Sequence, residues 1–128
     1  MQAEFNTRDG SLSFQNPDMP EAFIQGAVAG AHYRLSGGAQ LEARLIGQGC
    51  SIQEQRFTDV HGSGRHRIIS CPPNLNGVEL TYRINTYDQQ PFLLFQLNVR
   101  NLGHDPIYLQ DMCLFRADPA TGGVVQLS

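Results

Sequence analysis

The chain has 128 residues, a length typical of one domain with one hydrophobic core. Hydrophobic residues make up 41% of it and charged residues 16%, a balance that a disordered chain does not show, so the chain is expected to fold. The net charge is −3, and the nine basic residues are scattered arginines without the basic stripe that binds phosphates, so nucleic acid is not an expected partner.

Two-residue alternation of apolar and polar side chains predicts about eight strands, and no segment has a helical period. In chain order the predicted strands cover residues 12–14, 23–35, 40–46, 52–57, 65–71, 78–87, 92–100 and 107–116. The last stretch, 117–128, contains Asp118-Pro119 and Gly122-Gly123 and is expected to hold no closing element. The spacing is typical of an all-β fold, an antiparallel β-sandwich that occupies residues 1–128 as a single domain.

The clearest local pattern is an antiparallel hairpin made by residues 78–87 and 92–100. In each segment every second residue is apolar, and only a strand places such residues on one side. One predicted face consists of Val78, Leu80, Tyr82 and Ile84, together with Leu93, Phe95, Leu97 and Val99. The connection Asp88-Gln89-Gln90-Pro91 is expected to be a short turn.

Residues 107–116 are apolar on both expected faces, so both faces should be covered. A second copy of the chain is the simplest cover, because two-fold dimers are the commonest closed assemblies. The sequence therefore predicts a homodimer with Tyr108, Met112 and Leu114 in its interface.

Three cysteines, Cys50, Cys71 and Cys113, cannot all pair within one chain. No basic-then-apolar leader precedes the first strand, and no apolar run approaches the roughly 20 residues that span a membrane. We therefore expect a cytoplasmic protein with reduced, mostly buried thiols and no membrane association.

The densest polar cluster is residues 59–66. Asp59, His61 and Ser63 have the residue types of a proton-relay nucleophile, but alternate residues of one loop seldom converge as a triad requires. The alternative is a glycine-rich turn whose Asp and Ser bond to the backbone. A ligand site, if present, is expected at Asp59, His61 and Arg65; a structural Arg65–Asp59 pair is the simpler alternative.

Other chemistries have weaker signals. His61, His66, Cys50 and Cys71 lack the close spacings of metal ligands, so no metal is expected. Gly62-Ser63-Gly64 leads into a strand rather than a helix, which argues against phosphate binding, and no cofactor is expected. The composition gives no support for a carbohydrate site, since tryptophan is absent and the tyrosines lie within strands.

Four short motifs together resemble part of a known protein family. They are residues 57–65 (FTDVHGSGR), 87–94 (YDQQPFLL), 99–103 (VRNLG) and Pro106-Ile107. They resemble the N-terminal β-sandwich of α-galactosidases and raffinose-synthase-like proteins of glycoside hydrolase family thirty-six. The resemblance implies part of a supersandwich of the galactose mutarotase kind. That family's catalytic aspartates lie in a separate barrel, so no position here inherits them.

These considerations leave three hypotheses for function. The first is a non-catalytic module with a structural, subunit-contact or weak sugar-contact role. The second is a free-standing, self-associating interaction protein. The third is a small enzyme that uses the loop of residues 59–66.

Overall fold

The structure, a computed structural model, describes residues 2–90, 92–117, 119 and 123–126, except for the side chains of Ala22 and Gln126. The described residues form ten strands: β1 (Gln2–Phe5), β2 (Leu12–Asn16), β3 (Met19–Leu35), β4 (Gln40–Arg44), β5 (Ser51–Asp59), β6 (Gly62–Ser70), β7 (Val78–Tyr87), β8 (Leu93–Asn101), β9 (Ile107–Arg116) and β10 (Val124–Gln126). No helix in this part of the chain has the length and apolar character needed to cross a membrane.

Two packed antiparallel sheets confirm the predicted all-β sandwich. In the β3 sheet, strands run in the order β1-β2-β3-β10, with β4 and β9 also paired to β3. In the meander sheet the order is β5-β6-β7-β8, so each strand pairs with its neighbour in sequence.

β3 is the central strand of its sheet. Its first half pairs with β2 and β10, and its second half pairs with β4 and β9. At Gly30 a Cβ atom would lie 2.2 Å from the carbonyl oxygen of Ala43, so only glycine lets β4 approach β3 this closely.

The core lies between the sheets and matches the predicted hairpin. β7 and β8 pair from Val78 with Asn101 to Thr86 with Leu93. The predicted apolar face of β7 is buried, and Leu97 of β8 is buried against it. The β3 sheet contributes a facing layer of Leu12, Phe14, Ala27, Ala29, Tyr33, Ala43 and Leu45.

Polar contacts join the two sheets. The Tyr33 hydroxyl of β3 accepts hydrogen bonds from the side-chain amides of Asn74 and Asn76, at 2.9 and 2.8 Å, in the turn before β7. The Tyr82 hydroxyl of β7 donates to the carbonyl of Leu114 in β9 at 2.6 Å. Each sheet thus contributes one buried tyrosine whose hydroxyl forms hydrogen bonds to the other sheet.

The expectation of three reduced thiols is wrong for two of them. Cys50 and Cys71 form a disulfide, and Cys113 is a half-buried free thiol. Cys50 precedes β5 and Cys71 follows β6, directly beyond the paired Ser51 and Ser70, so the disulfide closes the base of the β5–β6 hairpin. Spacing did not reveal this pair, because the two cysteines meet only once the hairpin forms.

β9 departs from the predicted two-faced alternation. Its ten residues oppose eight of β3, with register shifts near Gln110 and Leu114. These bulges place Met112 opposite buried Ala31 and Leu109 opposite buried Tyr33, on the same face of the sheet, whereas regular alternation puts residues three apart on opposite faces.

The end of the chain also differs from expectation. The stretch predicted to lack any closing element contains β10, whose Val124 and Val125 pair with Gln25 and Ile24 of β3. A three-residue strand has too little alternation to be recognised in sequence, and the same is true of the four-residue β1. Pro91, Asp118 and Gly122 of the predicted turns lie outside the described residues.

Candidate functional site at the tip of the β5–β6 hairpin

The polar cluster of residues 59–66 lies at the tip of the hairpin made by β5 and β6. The two strands pair from Ser51 with Ser70 up to Asp59 with Gly62. Only Val60 and His61 remain as the turn, and Gly62 has a φ of 114°, which favours glycine. The predicted glycine-rich loop is therefore mostly paired strand, which fixes the side chains around it.

Asp59 is held by two donors. The backbone amide of His61 donates to its Oδ1 at 2.8 Å, and the hydroxyl of Tyr87 donates to its Oδ2 at 2.7 Å. The hydrogen bond from Tyr87 is the main reason that the pKa of Asp59 lies below its ordinary value, and the His61 amide lowers it further. The carboxylate is thus ionised and oriented at the hairpin tip.

Five aromatic rings cluster beside this carboxylate on one face of the meander sheet. We call them the aromatic patch: Phe57, His61, His66, Tyr87 and Phe92. Phe57 and His66 stack with centroids 4.2 Å apart, and Tyr87 contacts Phe57 at 5.3 Å, His61 at 5.8 Å and Phe92 at 5.0 Å. Tyr87 is buried at the centre, while its neighbours are half-buried or exposed.

Gly64 makes the patch possible. It lies between Phe57 of β5 and Tyr87 of β7 in the strand register. A Cβ atom at Gly64 would lie 2.0 Å from the carbonyl oxygen of Thr86, so a side chain there would displace the strand. The missing side chain leaves room for the two rings to meet across β6.

Neighbouring hydrogen bonds fix the edges of the patch. His66 Nδ1 and Asn85 Oδ1 are 2.9 Å apart, which orients the imidazole. The amide of Asp88 donates to the carbonyl of Ser63, and Arg56 pairs with the Asp88 carboxylate at 2.6 Å. The turn that leads to Phe92 is therefore fastened to the hairpin.

The structure brings together two of the three predicted ligand-binding residues. Asp59 lies beside His61 at the margin of the aromatic patch. Arg65 lies on the opposite face of the sheet, since it alternates with Gly64 and His66 along β6. Arg65 lies 3.5 Å from Glu54, so the alternative of an Arg65–Asp59 pair is wrong.

The proton relay weighed in the sequence is not formed by these residues. The Ser63 hydroxyl is bonded to the Thr58 hydroxyl at 2.9 Å, across the hairpin. The His61 ring faces the edges of Tyr87 and Phe92 instead of a nucleophile. The arrangement offers rings, a fixed carboxylate and amide groups to a ligand.

Sequence reasoning missed Phe57, Tyr87 and Phe92 as members of this site. Phe57 and His66 become neighbours across the two strands only in the observed hairpin register. That register depends on a turn of two residues, whereas the predicted strands left a loop of seven residues, 58–64. Gly64 was the one residue that could have indicated the site, because a glycine within a strand often marks a place where other groups approach closely.

A second polar cluster lies on the β3 sheet, away from the patch. His32 of β3 contacts Asp111 of β9 through Nδ1 at 2.8 Å and Glu42 of β4 through Nε2 at 3.1 Å. The hydrogen bond with Asp111 is the main reason that the pKa of His32 is raised. Opposite ring atoms face the two acids, so the imidazole bridges both neighbours of β3.

Within the described ranges, no three His, Cys, Asp or Glu side chains gather in a group able to hold a metal ion. No family model, curated protein or solved structure matches the chain.

Proposed function

We propose that the chain is a non-catalytic β-sandwich module that contacts carbohydrate through the aromatic patch. The observation that supports this proposal is the placement of an oriented, ionised Asp59 beside partly exposed rings. The electron-rich faces of aromatic rings attract the polarised C–H bonds of a sugar ring, and carboxylate and amide groups bind its hydroxyls.

The patch has the layout of a platform more than of an enclosed pocket. Phe57 and Phe92 are half-buried and His61 is exposed, so a sugar would lie over rings that are already held in place. Asp59 and Asn85 lie at the margins and supply acceptors. Preorganised rings reduce the entropy lost on binding.

The proposal agrees with the accessory role implied by the resemblance to the N-terminal region of family thirty-six α-galactosidases. That resemblance stays a prediction, and so does the absence of catalysis. Galactosides are accordingly the first ligands to test.

Calorimetry and amide NMR titration with galactosides and galactose-containing oligosaccharides test this function. Phe57→Ala and Asp59→Asn are expected to weaken binding, while Tyr108→Ala, an exposed aromatic on β9, serves as the matched control and leaves binding unchanged. Absence of binding, or equal loss in the control, contradicts the sugar-contact role; turnover of a galactoside by the pure chain contradicts the non-catalytic one.

A second candidate function is self-association through β9. Its large side chains stay exposed within one chain: Tyr108 by 50%, Leu109 by 47%, Met112 by 45%, Leu114 by 42% and Phe115 by 38%. A run of exposed apolar residues on one edge strand favours a protein partner. A homodimer is the proposed occupant.

The bulges of β9 affect how a second copy would pack. They interrupt the regular edge, which disfavours a continuous ladder between two copies and favours packing of side chains. Of the predicted interface residues, Tyr108 shares a face with Arg34 and Met112 shares the other face with Ala31, so one flat contact does not include both.

Sedimentation at high concentration tests the dimer. Met112→Asp is expected to shift a dimer to monomer, and a strictly monomeric wild type contradicts the proposed self-association.

The third hypothesis, a small enzyme using residues 59–66, has a direct test. Any hydrolytic activity of the pure chain should disappear in His61→Ala and Arg65→Ala, and its persistence in both variants excludes this region as its source.

Localisation in the cytoplasm also stays a prediction. The Cys50–Cys71 disulfide argues against it, because disulfides persist mainly in oxidising compartments.

A further inference from the structure

A groove of about 360 Å³ opens between the two sheets, on the side of the meander sheet opposite to the aromatic patch. We call it the arginine groove; it is lined by Gln2, Ala3 and Glu4 of β1, Glu54 of β5, Arg65 and Arg67 of β6, and Ile84 and Thr86 of β7. Its volume lies within the range of small-molecule sites.

The strand register explains why these side chains share one face. Arg67 pairs with Glu54 on one side and with Ile84 on the other, while Arg65 pairs with Thr86. Residues paired across strands point to the same face, and residues two apart in one strand do as well. The buried Ile84 therefore forms an apolar floor beside two guanidinium groups.

The two arginines differ in how they are held. Arg67 donates to the backbone carbonyl of Ala3 at 2.6 Å, which ties it to the first strand of the opposite sheet. Arg65 makes one side-chain hydrogen bond among the described residues, at 3.5 Å to Glu54 Oε1, and its side chain is 56% exposed. Arg65 thus retains donors that a ligand can use.

Glu54 lies between the two guanidinium groups without a close pair to either. Its Oε1 is 3.5 Å from Arg65 and 4.0 Å from Arg67. An exposed pair of this length is weak and screened by solvent. A ligand carboxylate can therefore compete with Glu54 for Arg65, in the bidentate geometry that a guanidinium favours.

The remaining lining restricts the ligand. Glu4 and Glu54 would repel a multiply charged anion, but as acceptors they suit hydroxyl groups. Gln2 and Thr86 can both donate and accept. We propose that the arginine groove binds a monocarboxylate that carries several hydroxyl groups, the chemistry of a sugar acid, with Arg65 as the carboxylate-binding residue.

This inference does not depend on the proposed sugar contact at the aromatic patch, because Arg65 and Phe57 lie on opposite faces of the sheet. A neutral galactoside bound at the patch perturbs the amides around Phe57 and Tyr87. A sugar acid bound in the groove perturbs those around Ala3, Arg65 and Ile84. Either site can fail while the other is observed.

Amide NMR titration of the full chain with glucuronate tests the groove, with glucose, acetate and inorganic phosphate as comparison ligands. Glucuronate is expected to bind most tightly and to shift the groove amides. Arg65→Gln is expected to weaken it about tenfold, as loss of a hydrogen bond to a charged group implies. The matched control Arg100→Gln changes an exposed arginine of β8 and leaves binding unchanged.

Glu54→Gln is a second variant with the opposite expected sign. Removing the carboxylate that competes for Arg65 should tighten glucuronate binding several-fold. Glucuronate that causes no shift, glucose or phosphate that binds as tightly, or Glu54→Gln that weakens binding would each overturn the proposal.

Discussion

Tyr82 of β7 donates its hydroxyl hydrogen to the backbone carbonyl of Leu114 in β9 at 2.6 Å, so one residue of the meander sheet satisfies a backbone group of the other sheet. Tyr82 is fully buried, and its burial raises the pKa of the phenol far above the usual value, which keeps the hydroxyl a donor at any physiological pH.

Tyr82→Phe is expected to lower the free energy of unfolding by about 1 kcal/mol, because the Leu114 carbonyl loses its donor while ring packing is kept. Chemical denaturation measures the change. Tyr108→Phe, which alters an exposed tyrosine of β9, should have no effect. An equal loss in both variants would contradict a specific role for the bond between sheets.

Tyr87→Phe is expected to raise the pKa of Asp59 toward its ordinary value, because the strongest hydrogen bond to the carboxylate is removed. Carboxyl carbon NMR across a pH series follows this titration directly. Phe57→Leu is the comparison, since it alters an uncharged ring of the patch that does not bond to Asp59. If the Asp59 titration is the same in Tyr87→Phe and wild type, the bond is absent in solution.

His32 is expected to make stability depend on pH. Its pKa is raised in the folded chain above the ordinary 6.5, so its contribution is complete below pH 6.5 and is lost as pH rises through the raised value. The groups facing it are Asp111 and Glu42, and Arg44 and Arg116 lie within 4.0 Å of Glu42.

Thermal unfolding from pH 6 to pH 8.5 measures this effect. Wild-type stability should fall as pH rises through the window above 6.5, and His32→Asn should remove that part of the fall. His104→Asn, at an exposed loop position, is the matched control. A variant at His32 with the wild-type pH profile would show that the imidazole does not bridge the two acids.

Replacing the disulfide by Cys50→Ser with Cys71→Ser is expected to cost about 3 kcal/mol, because the bond closes a loop of roughly 20 residues in the unfolded chain. Denaturation under non-reducing conditions measures the loss. Cys113→Ser changes the free thiol and should cost much less. A double variant as stable as wild type would mean that the hairpin is held without the bond.

Gly64→Ala is expected to destabilise the fold by about 2 kcal/mol, since the added Cβ meets the Thr86 carbonyl and pushes β6 from β7. The same change should perturb the ring proton signals of Phe57 and Tyr87. Ser70→Ala, at an exposed position of the same strand, is the control. Unchanged ring signals would contradict the role of Gly64 in joining the patch.

The sequence was sufficient for the strands whose alternation is long. Residues 78–87 were predicted with the bounds that β7 has, because the inward residues from Val78 to Ile84 are apolar and the residues between them are polar. β1 and β10 escaped prediction because three or four residues carry too little pattern, and their pairing depends on strands far along the chain.

The candidate site was predicted only in part for a related reason. Asp59 and His61 are close in sequence and stay close in the fold. Phe57, Tyr87 and Phe92 join them through strand register, and Arg65 leaves them because one step along a strand reverses the side chain. Periodicity identifies a face, whereas register decides which residues of neighbouring strands share it.

The two sheets differ in strand connectivity, and this difference affects the order in which they assemble. Every pair in the meander sheet joins strands adjacent in sequence, whereas Leu35 of β3 must find Ile107, 72 residues later. Loop closure over such a distance slows pairing, so the meander should gain protection from hydrogen exchange first during refolding. Until β9 pairs with the second half of β3, the backbone groups along that edge of β3 have no partner. Another chain can pair with them, so aggregation is expected to compete with folding at that step.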